Sequence, residues 1–587
     1  MKSGRIDKFF YIFGAVIPAL FCLYFIYSFG VNVPYYDEWF YFPLLKTFIL
    51  GKPWLHLLAD SYNEHIQIFP RLLLLLTAPA SSWNVVDEMY VNWILIGINV
   101  IICWFLLKET LPEDKWLIVP ISWILFSLSQ YQNLLTGWNQ QIALTVSAVL
   151  LSVYFLNKAN KSLVYLAPAV IFAYMASFSL LYGLVIWLLG FASFFKIKGY
   201  RKRLALFLWI LLMVVALVLY YIGYQNILIE NQNEIQNLFI FLSKPASYTE
   251  FVFAFLGANT GSEYLIWSAV SGCIVFLVFI TGLYLINFDK SILPKMIPWI
   301  QIGVFTLLTA LVTGIGRLQM GVEAAITAHY STISILLFLA TLVVSVEGFR
   351  ILRTKIKSKI ARTVLTSIFF ILLVVGIIEF CIISVYGWSR GQDTFITRSS
   401  LLSCVLSRQN YCLDDQGYNY TTRHGYIDDV IKMKLGPFAD SGHPELKVTI
   451  LTKLDKSYWE RVGYNRVIDA NIDFVNGQST KNNTVFYVDT KKNSFIVVSG
   501  WAVDGNNHEL ADSVSVVLNK EFLSTTYYGL PRNDVAKIFG KNAYFFSGWG
   551  AVFSTRGLTL GCYNATLIII KYQEKNAFNT DYMLCLI

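Results

Sequence analysis

Eleven stretches of this chain are apolar enough, and nearly long enough, to cross a lipid bilayer as helices, and this repetition constrains the fold more than any other feature. They fall near residues 9–29, 89–107, 115–131, 139–157, 161–177, 180–196, 204–224, 265–287, 297–314, 327–347 and 364–386. A hydrocarbon core of about 30 Å takes about 20 helical residues. No soluble core needs so many separate runs. With 56% hydrophobic and only 14% charged residues, the chain reads as an α-helical polytopic membrane protein. The run after Lys2–Lys8 is too long for a signal peptide and lacks a small-residue cleavage site, so it is expected to stay as an anchor.

Charge gives the expected sidedness. The net charge of +9 does not point to nucleic acid, because the lysines and arginines lie between apolar runs. Lys108 and Lys115, Lys158 and Lys161, Lys196 to Arg203, Lys290 and Lys295, and Arg350 to Arg362 all fall on one side of an eleven-span count. The positive-inside rule makes that side, with the N-terminus, cytoplasmic. Residues 30–88 then lie outside, with six acids against three bases. Their apolar pieces 40–58 and 66–80 are broken by Pro43, Pro53, Pro70 and Pro79 and read as interfacial helices. Residues 225–262 form a second outer loop, with another interfacial helix expected near 248–258.

The composition changes after residue 387. The division expected is a membrane domain over 1–387, a mixed linking region over 388–490 with a helix near 427–435, and an extracytoplasmic β-sandwich over 491–587. Short β-branched runs at 496–498, 514–518 and 566–570, parted by Gly, Asn and Asp, carry the last assignment. Cys404, Cys412, Cys562 and Cys585 all fall in this outer part, and pairing by proximity gives Cys404–Cys412 and Cys562–Cys585.

Polar residues near the bilayer gather on the outer side. Pro34-Tyr35-Tyr36-Asp37-Glu38-Trp39 follows the first span, and adjacent carboxylates at a membrane mouth can accept a proton or bind a cation. Asn63-Glu64-His65 precedes Phe69-Pro70-Arg71. Asn133, Trp138 and Gln140 lie between the end of the third run and the start of the fourth, where amides suit sugar hydroxyls and tryptophan suits a sugar face. Gly314-Ile315-Gly316-Arg317, followed by His329-Tyr330, suits a phosphate, which bare N–H groups and a guanidinium fork both bind. The sequence has no zinc-like spacing, no P-loop and no dinucleotide fingerprint, so no cofactor is expected.

Tyr36-Asp37-Glu38-Trp39, Asn63-Glu64-His65 with Phe69-Pro70-Arg71, and Gly316-Arg317 with His329-Tyr330 together resemble the GT-C superfamily of membrane glycosyltransferases. The resemblance is to bacterial members such as the serotype-converting O-antigen glucosyltransferases, and it covers about residues 1–390. It departs at Ile66 and His329, where such relatives often carry arginine. Ser499-Gly500-Trp501 with Tyr528-Gly529-Leu530-Pro531 is similar to a β-sandwich appended to some surface-polysaccharide enzymes.

The resemblance implies a polyprenyl-phosphate-linked sugar donor, a hexose such as glucose, and a glycan acceptor such as the O-antigen of lipopolysaccharide. It implies an inverting transfer at the outer face of a bacterial inner membrane. In that reading Asp37 is the general base and Glu38 its substitute or positioning partner. Arg317, His329 and Arg71 hold the donor phosphate, and Trp39, Glu64, His65, Asn133, Trp138 and Gln140 line the substrate site. A flippase or transporter for lipid-linked glycans, and a glycan polymerase or ligase, are the competing readings.

Overall fold

A computed structural model describes residues 3–228, 243–260, most of 264–391, a few between 394 and 439, and most of 451–587. It divides into two units, described separately below. The first comprises Met1–Gly30, Phe40–Ser81 and Val86–Gly391, and the second Val31–Trp39, Ser82–Val85 and Gln392–Ile587.

The first unit is a helix bundle. Among the described residues its helices include α1 (Ser3–Phe29), α2 (Phe42–Ile49), α3 (Ile68–Thr77), α4 (Val85–Thr110), α5 (Ile118–Leu125), α6 (Gln140–Ala159), α7 (Leu166–Ser177), α8 (Val185–Gly190), α9 (Gly199–Leu228), α10 (Pro245–Leu256), α11 (Leu265–Ile286), α12 (Leu293–Arg317) and α13 (Ser331–Lys355), and residues 378–391 are helical as well. Among the described residues seven segments are long and apolar enough to cross a membrane. They are Tyr11–Phe29, Val85–Thr110, Gly137–Ala159, Gly199–Gly223, Leu265–Ile286, Leu293–Met320 and Ala328–Lys355.

The expected eleven spans are therefore not all long helices. Residues 115–131 break at Phe126–Ser127, where the Ser127 hydroxyl caps the next turn. The runs at 161–177 and 180–196 form the shorter helical segments Leu163–Ser177 and Leu181–Lys196, parted by extended backbone at Leu180. At 1.5 Å per residue such segments reach about 22–24 Å, short of a bilayer core. Parts of 364–386 lie outside the described residues. The interfacial helices expected at 40–58, 66–80 and 248–258 correspond to α2, α3 and α10.

Hydrogen bonds sort the bundle into two chemically distinct ends. At one end, Arg350 bonds Asp114 and Glu347, Lys158 and Lys161 face Glu109, and Lys196 reaches Asn157. Trp299 donates to Thr110 there, and Arg201 to the Lys161 carbonyl. The opposite end is rich in amides, hydroxyls and aromatic rings. The three shorter segments have one terminus bonded at each end, as Lys161 and Phe178 show for the α7 segment.

Local chemistry explains individual packings. Pro18 inside α1 has no N–H for the Gly14 carbonyl, and the Trp123 indole donates to it instead at 3.0 Å. Gly257 and Gly272 let α10 and α11 touch backbone to backbone, since a Cβ on either would collide with the Ser268 or Phe253 carbonyl.

The second unit contains a β-sandwich of two sheets. In chain order the strands are β3 (Thr452–Lys453), β4 (Val462–Gly463), β5 (Ile468–Val475), β6 (Gln478–Ser479), β7 (Val485–Val488), β8 (Phe495–Asp504), β9 (Glu509–Leu510), β10 (Ser513–Leu518), β11 (Phe522–Thr525), β12 (Tyr527–Leu530), β13 (Gly548–Ser554), β14 (Gly561–Lys571) and β15 (Glu574–Leu586). One sheet runs β3-β11-β10-β14-β15-β4 with β7 also on β15, and the other β12-β13-β8-β5-β6 with β9 on β8. Period-two alternation fills the core: Trp549, Ala551 and Phe553 of β13 point inward with Ile496, Val516, Leu567 and Ile569. Among the described residues the strands of this unit begin at Thr452, so the β-structure takes in the last part of the region expected to be a linker over 388–490. Residues 428–432 are helical, as expected near 427–435. Cys562 and Cys585 face each other across β14 and β15 and form a disulfide. Cys404 and Cys412 lie outside the described residues.

Candidate functional site

The amide-rich end of the first unit is built around a two-residue turn. β1 (Ser61–Tyr62) and β2 (His65–Ile66) pair with Tyr62 opposite His65, so Asn63 and Glu64 form the tip. Asn63 sits at φ 47°, a left-handed conformation that asparagine tolerates. The turn presents the Glu64 side chain to Arg317, at the last position of α12, and the two form an ion pair. A cation there also complements the helix dipole.

His65 completes the group. Its Nδ1 accepts the Leu181 N–H at 3.2 Å, so in the neutral ring Nε2 carries the proton, and Nε2 lies 3.6 Å from Glu64. Burial, opposed by the nearby Glu64 carboxylate, pushes the His65 pKa down to about 4. Burial alone would raise the Glu64 carboxyl, but its charged neighbours, Arg317 foremost once His65 is neutral, hold it below the usual range. The Tyr220 hydroxyl donates to the Glu64 carbonyl at 2.7 Å and fixes the tip on α9.

His329 stands close to this group. Its Nε2 is 3.4 Å from the Thr327 hydroxyl, its ring lies 4.1 Å from that of Tyr330, and its carbonyl accepts from Asn133 at 2.9 Å. Asn133 also donates to Thr332, which donates to Gln130. Of the two glycines before Arg317, Gly314 serves packing, since a Cβ there would press on the Tyr248 ring, while a Cβ on Gly316 would meet nothing.

Arg71 has a different occupation. From the first turn of α3 its Nη1 donates to the Leu57, Leu58 and Asp60 carbonyls at 2.5, 3.3 and 2.6 Å, tying down the loop before the hairpin. Trp138 is buried between Tyr41 and Tyr62, with ring centroids 4.3 and 5.1 Å away. Gln140 is fully buried.

Asp37 and Glu38 belong to the second unit, on a 3-10 turn over Tyr36–Tyr41. Glu38 is 2% exposed and accepts the Tyr35 N–H at 2.5 Å, whereas Asp37 is half-buried. Arg398 is wholly buried with its guanidinium 4.8 Å from the Tyr35 ring. Burial lowers its pKa, and Glu38 and Tyr35 oppose that shift. Trp39 is buried edge-on against Trp83. Arg398 was not among the residues expected from sequence, because nothing in the polar stretch around it marks a partner for Glu38.

Among the described residues no group of three or more His, Cys, Asp or Glu side chains could hold a metal ion. The sequence matches no protein-family model and no curated protein.

Proposed function

We propose that the chain is a membrane glycosyltransferase. It moves a sugar, a hexose such as glucose, from a polyprenyl-phosphate donor to a hydroxyl of a surface glycan such as O-antigen. The setting is a bacterial inner membrane, with the N-terminus cytoplasmic and the β-sandwich outside. The observation that carries this reading is the Arg317 group. A guanidinium and the Nε2–H of a neutral imidazole converge on the Glu64 carboxylate, and donors that hold one oxyanion suit a lipid phosphate.

The roles follow from the chemistry. Asp37 accepts the acceptor hydroxyl's proton as that oxygen attacks the anomeric carbon. The bond from that carbon to the phosphate oxygen breaks, and its electron pair stays on the phosphate. The leaving group gains one negative charge, which Arg317 and the His65 and His329 rings stabilise. A single displacement inverts the anomeric centre and needs no covalent enzyme intermediate. The unequal exposure of the acidic pair supports the division of labour: Asp37 meets solvent, and Glu38 is locked into the turn.

The test is transfer by purified protein in detergent from undecaprenyl-phosphate-glucose to a glycan acceptor. Asp37→Asn should lower turnover about 10²–10⁴-fold with donor binding retained, and Glu38→Gln should cost less. Absence of transfer in detergent, together with donor translocation in sealed vesicles, would refute the enzyme in favour of a flippase.

A further inference from the structure

The Arg317 guanidinium uses only part of its donor set. Its Nη2 donates to the Glu64 carboxylate, while its Nη1 meets only the Met320 thioether, 4.0 Å away, a weak acceptor. The pair is also open to its surroundings, with the Arg317 side chain 23% and the Glu64 side chain 28% exposed. Met320 is 63% exposed. Gly316 is exposed as well, and a Cβ on it would meet nothing within 4 Å. Val312, one helical turn before Gly316, is an exposed apolar residue. This flank of α12 therefore leaves room beside the guanidinium, and its apolar side chains suit a polyprenyl chain that ends in a phosphate.

The backbone of Glu64 is pinned, whereas its side chain lies toward the open side. The Tyr220 hydroxyl donates to the Glu64 carbonyl at 2.7 Å, and the next residue, His65, accepts the Leu181 N–H at 3.2 Å. Releasing Arg317 thus takes a rotation of one side chain, with the hairpin kept in place. A carboxylate oxygen and a phosphate oxygen make the same kind of charge-assisted bond to a guanidinium. Held side by side on one cation, the two anions repel each other.

We infer that Glu64 is a built-in competitor of the lipid phosphate for Arg317, swinging away as the donor enters and returning to expel the product. The inference rests on the glycosyltransferase reading and deepens it. The donor's phosphodiester carries one negative charge. After transfer, the monoester left on the lipid carries a charge of about −1.5 to −2 at pH 7. A bare cation would hold that product more tightly than the donor and stall the site. A carboxylate that returns to Arg317 counters the stall, and it gives the arginine a partner in the interval between substrates.

The experiment measures binding of undecaprenyl phosphate, undecaprenyl-phosphate-glucose and uncharged undecaprenol to full-length wild type and Glu64→Gln in detergent. Glutamine keeps the shape and an oxygen for Arg317 but loses the charge. The variant should hold undecaprenyl phosphate about fivefold tighter than wild type, the scale of one partly exposed ion pair. The glucosylated lipid should gain by a smaller factor, and undecaprenol should not gain. In the transfer assay, added undecaprenyl phosphate should inhibit the variant at correspondingly lower concentration. Unchanged or weaker binding of undecaprenyl phosphate by Glu64→Gln would overturn the inference, because a residue that only aligns Arg317 moves affinity downward. Transfer by wild type would then still uphold the enzyme reading. An equal gain for undecaprenol would overturn the inference too, since the effect would belong to the tail. If Glu64→Gln does not fold, Glu64→Asp decides: its shorter carboxylate holds Arg317 less well, and no gain in undecaprenyl phosphate binding would overturn the inference. Binding of neither phosphate lipid by either protein would overturn the transferase reading and the competitor with it.

Discussion

His65 should make the first unit sensitive to acid in a window set by its surroundings. In the folded protein its pKa is pushed from an ordinary 6.5 to about 4, and its side chain is 16% exposed. The unfolded chain therefore binds a proton at His65 between those two values that the folded chain refuses. Its contribution is fully present above pH 6.5 and is lost as pH falls toward 4. A shift of about 2.5 units corresponds to about 3 kcal/mol over the window, a large part of the margin of a typical domain. His65→Asn is the clean comparison. The amide can present an oxygen to the Leu181 N–H where Nδ1 stood, and it does not titrate in this range. Denaturation midpoints measured from pH 7.5 to 4 in one detergent should fall more steeply for wild type than for the variant. The difference should open between pH 6.5 and 4. Parallel curves for the two proteins would refute the reasoning, because they would mean that His65 takes up its proton equally in both states.

Three further outcomes are expected. Arg317→Ala should weaken donor binding and Arg317→Lys should restore it only in part, because the planar fork is lost; unchanged affinity and turnover in Arg317→Ala would remove Arg317 from the phosphate site. Reducing Cys562–Cys585, which spans 23 residues, or replacing both cysteines by serine, should destabilise the β-sandwich by about 3 kcal/mol, measured as its own unfolding transition. Gly272→Ala should abolish accumulation of folded protein while Gly97→Ala does not, because a Cβ on Gly272 meets the Phe253 carbonyl and one on Gly97 meets nothing; size-exclusion chromatography of the two variants checks it.

Patterns local in the chain were legible before the structure. The long apolar helices, the β-rich end and the Cys562–Cys585 pairing follow from run length, alternation and spacing. What was not legible depends on partners distant in sequence. Glu64 and Arg317 were both picked out, but 253 residues separate them and no periodicity reports an ion pair at that range. Arg71 reads as a phosphate ligand from its motif, yet its place on the first turn of α3 sends it back to three carbonyls of the preceding loop. Glu88 reads as one more acid of an outer loop, whereas it opens α4 and is buried. The helix break at Leu180 escapes hydropathy because it parts two apolar runs, whereas the one at Phe126 falls where the run gives way to Ser127, Ser129 and Gln130.

The position of β15 bears on how the protein is made. Glu574–Leu586 lies inside its sheet, antiparallel to β14 on one side and parallel to β4 and β7 on the other. Three strands thus wait for a partner that ribosomes deliver after all of them. Until residue 586 emerges, β14 presents an open, apolar edge carrying Leu567, Ile568 and Ile569, and the Cys562 thiol has nothing to oxidise with at position 585. During synthesis the sheet passes through an interval in which it is a template for any stray strand. Nonsense mutations after β14 should therefore yield aggregation-prone chains, not shortened folded ones.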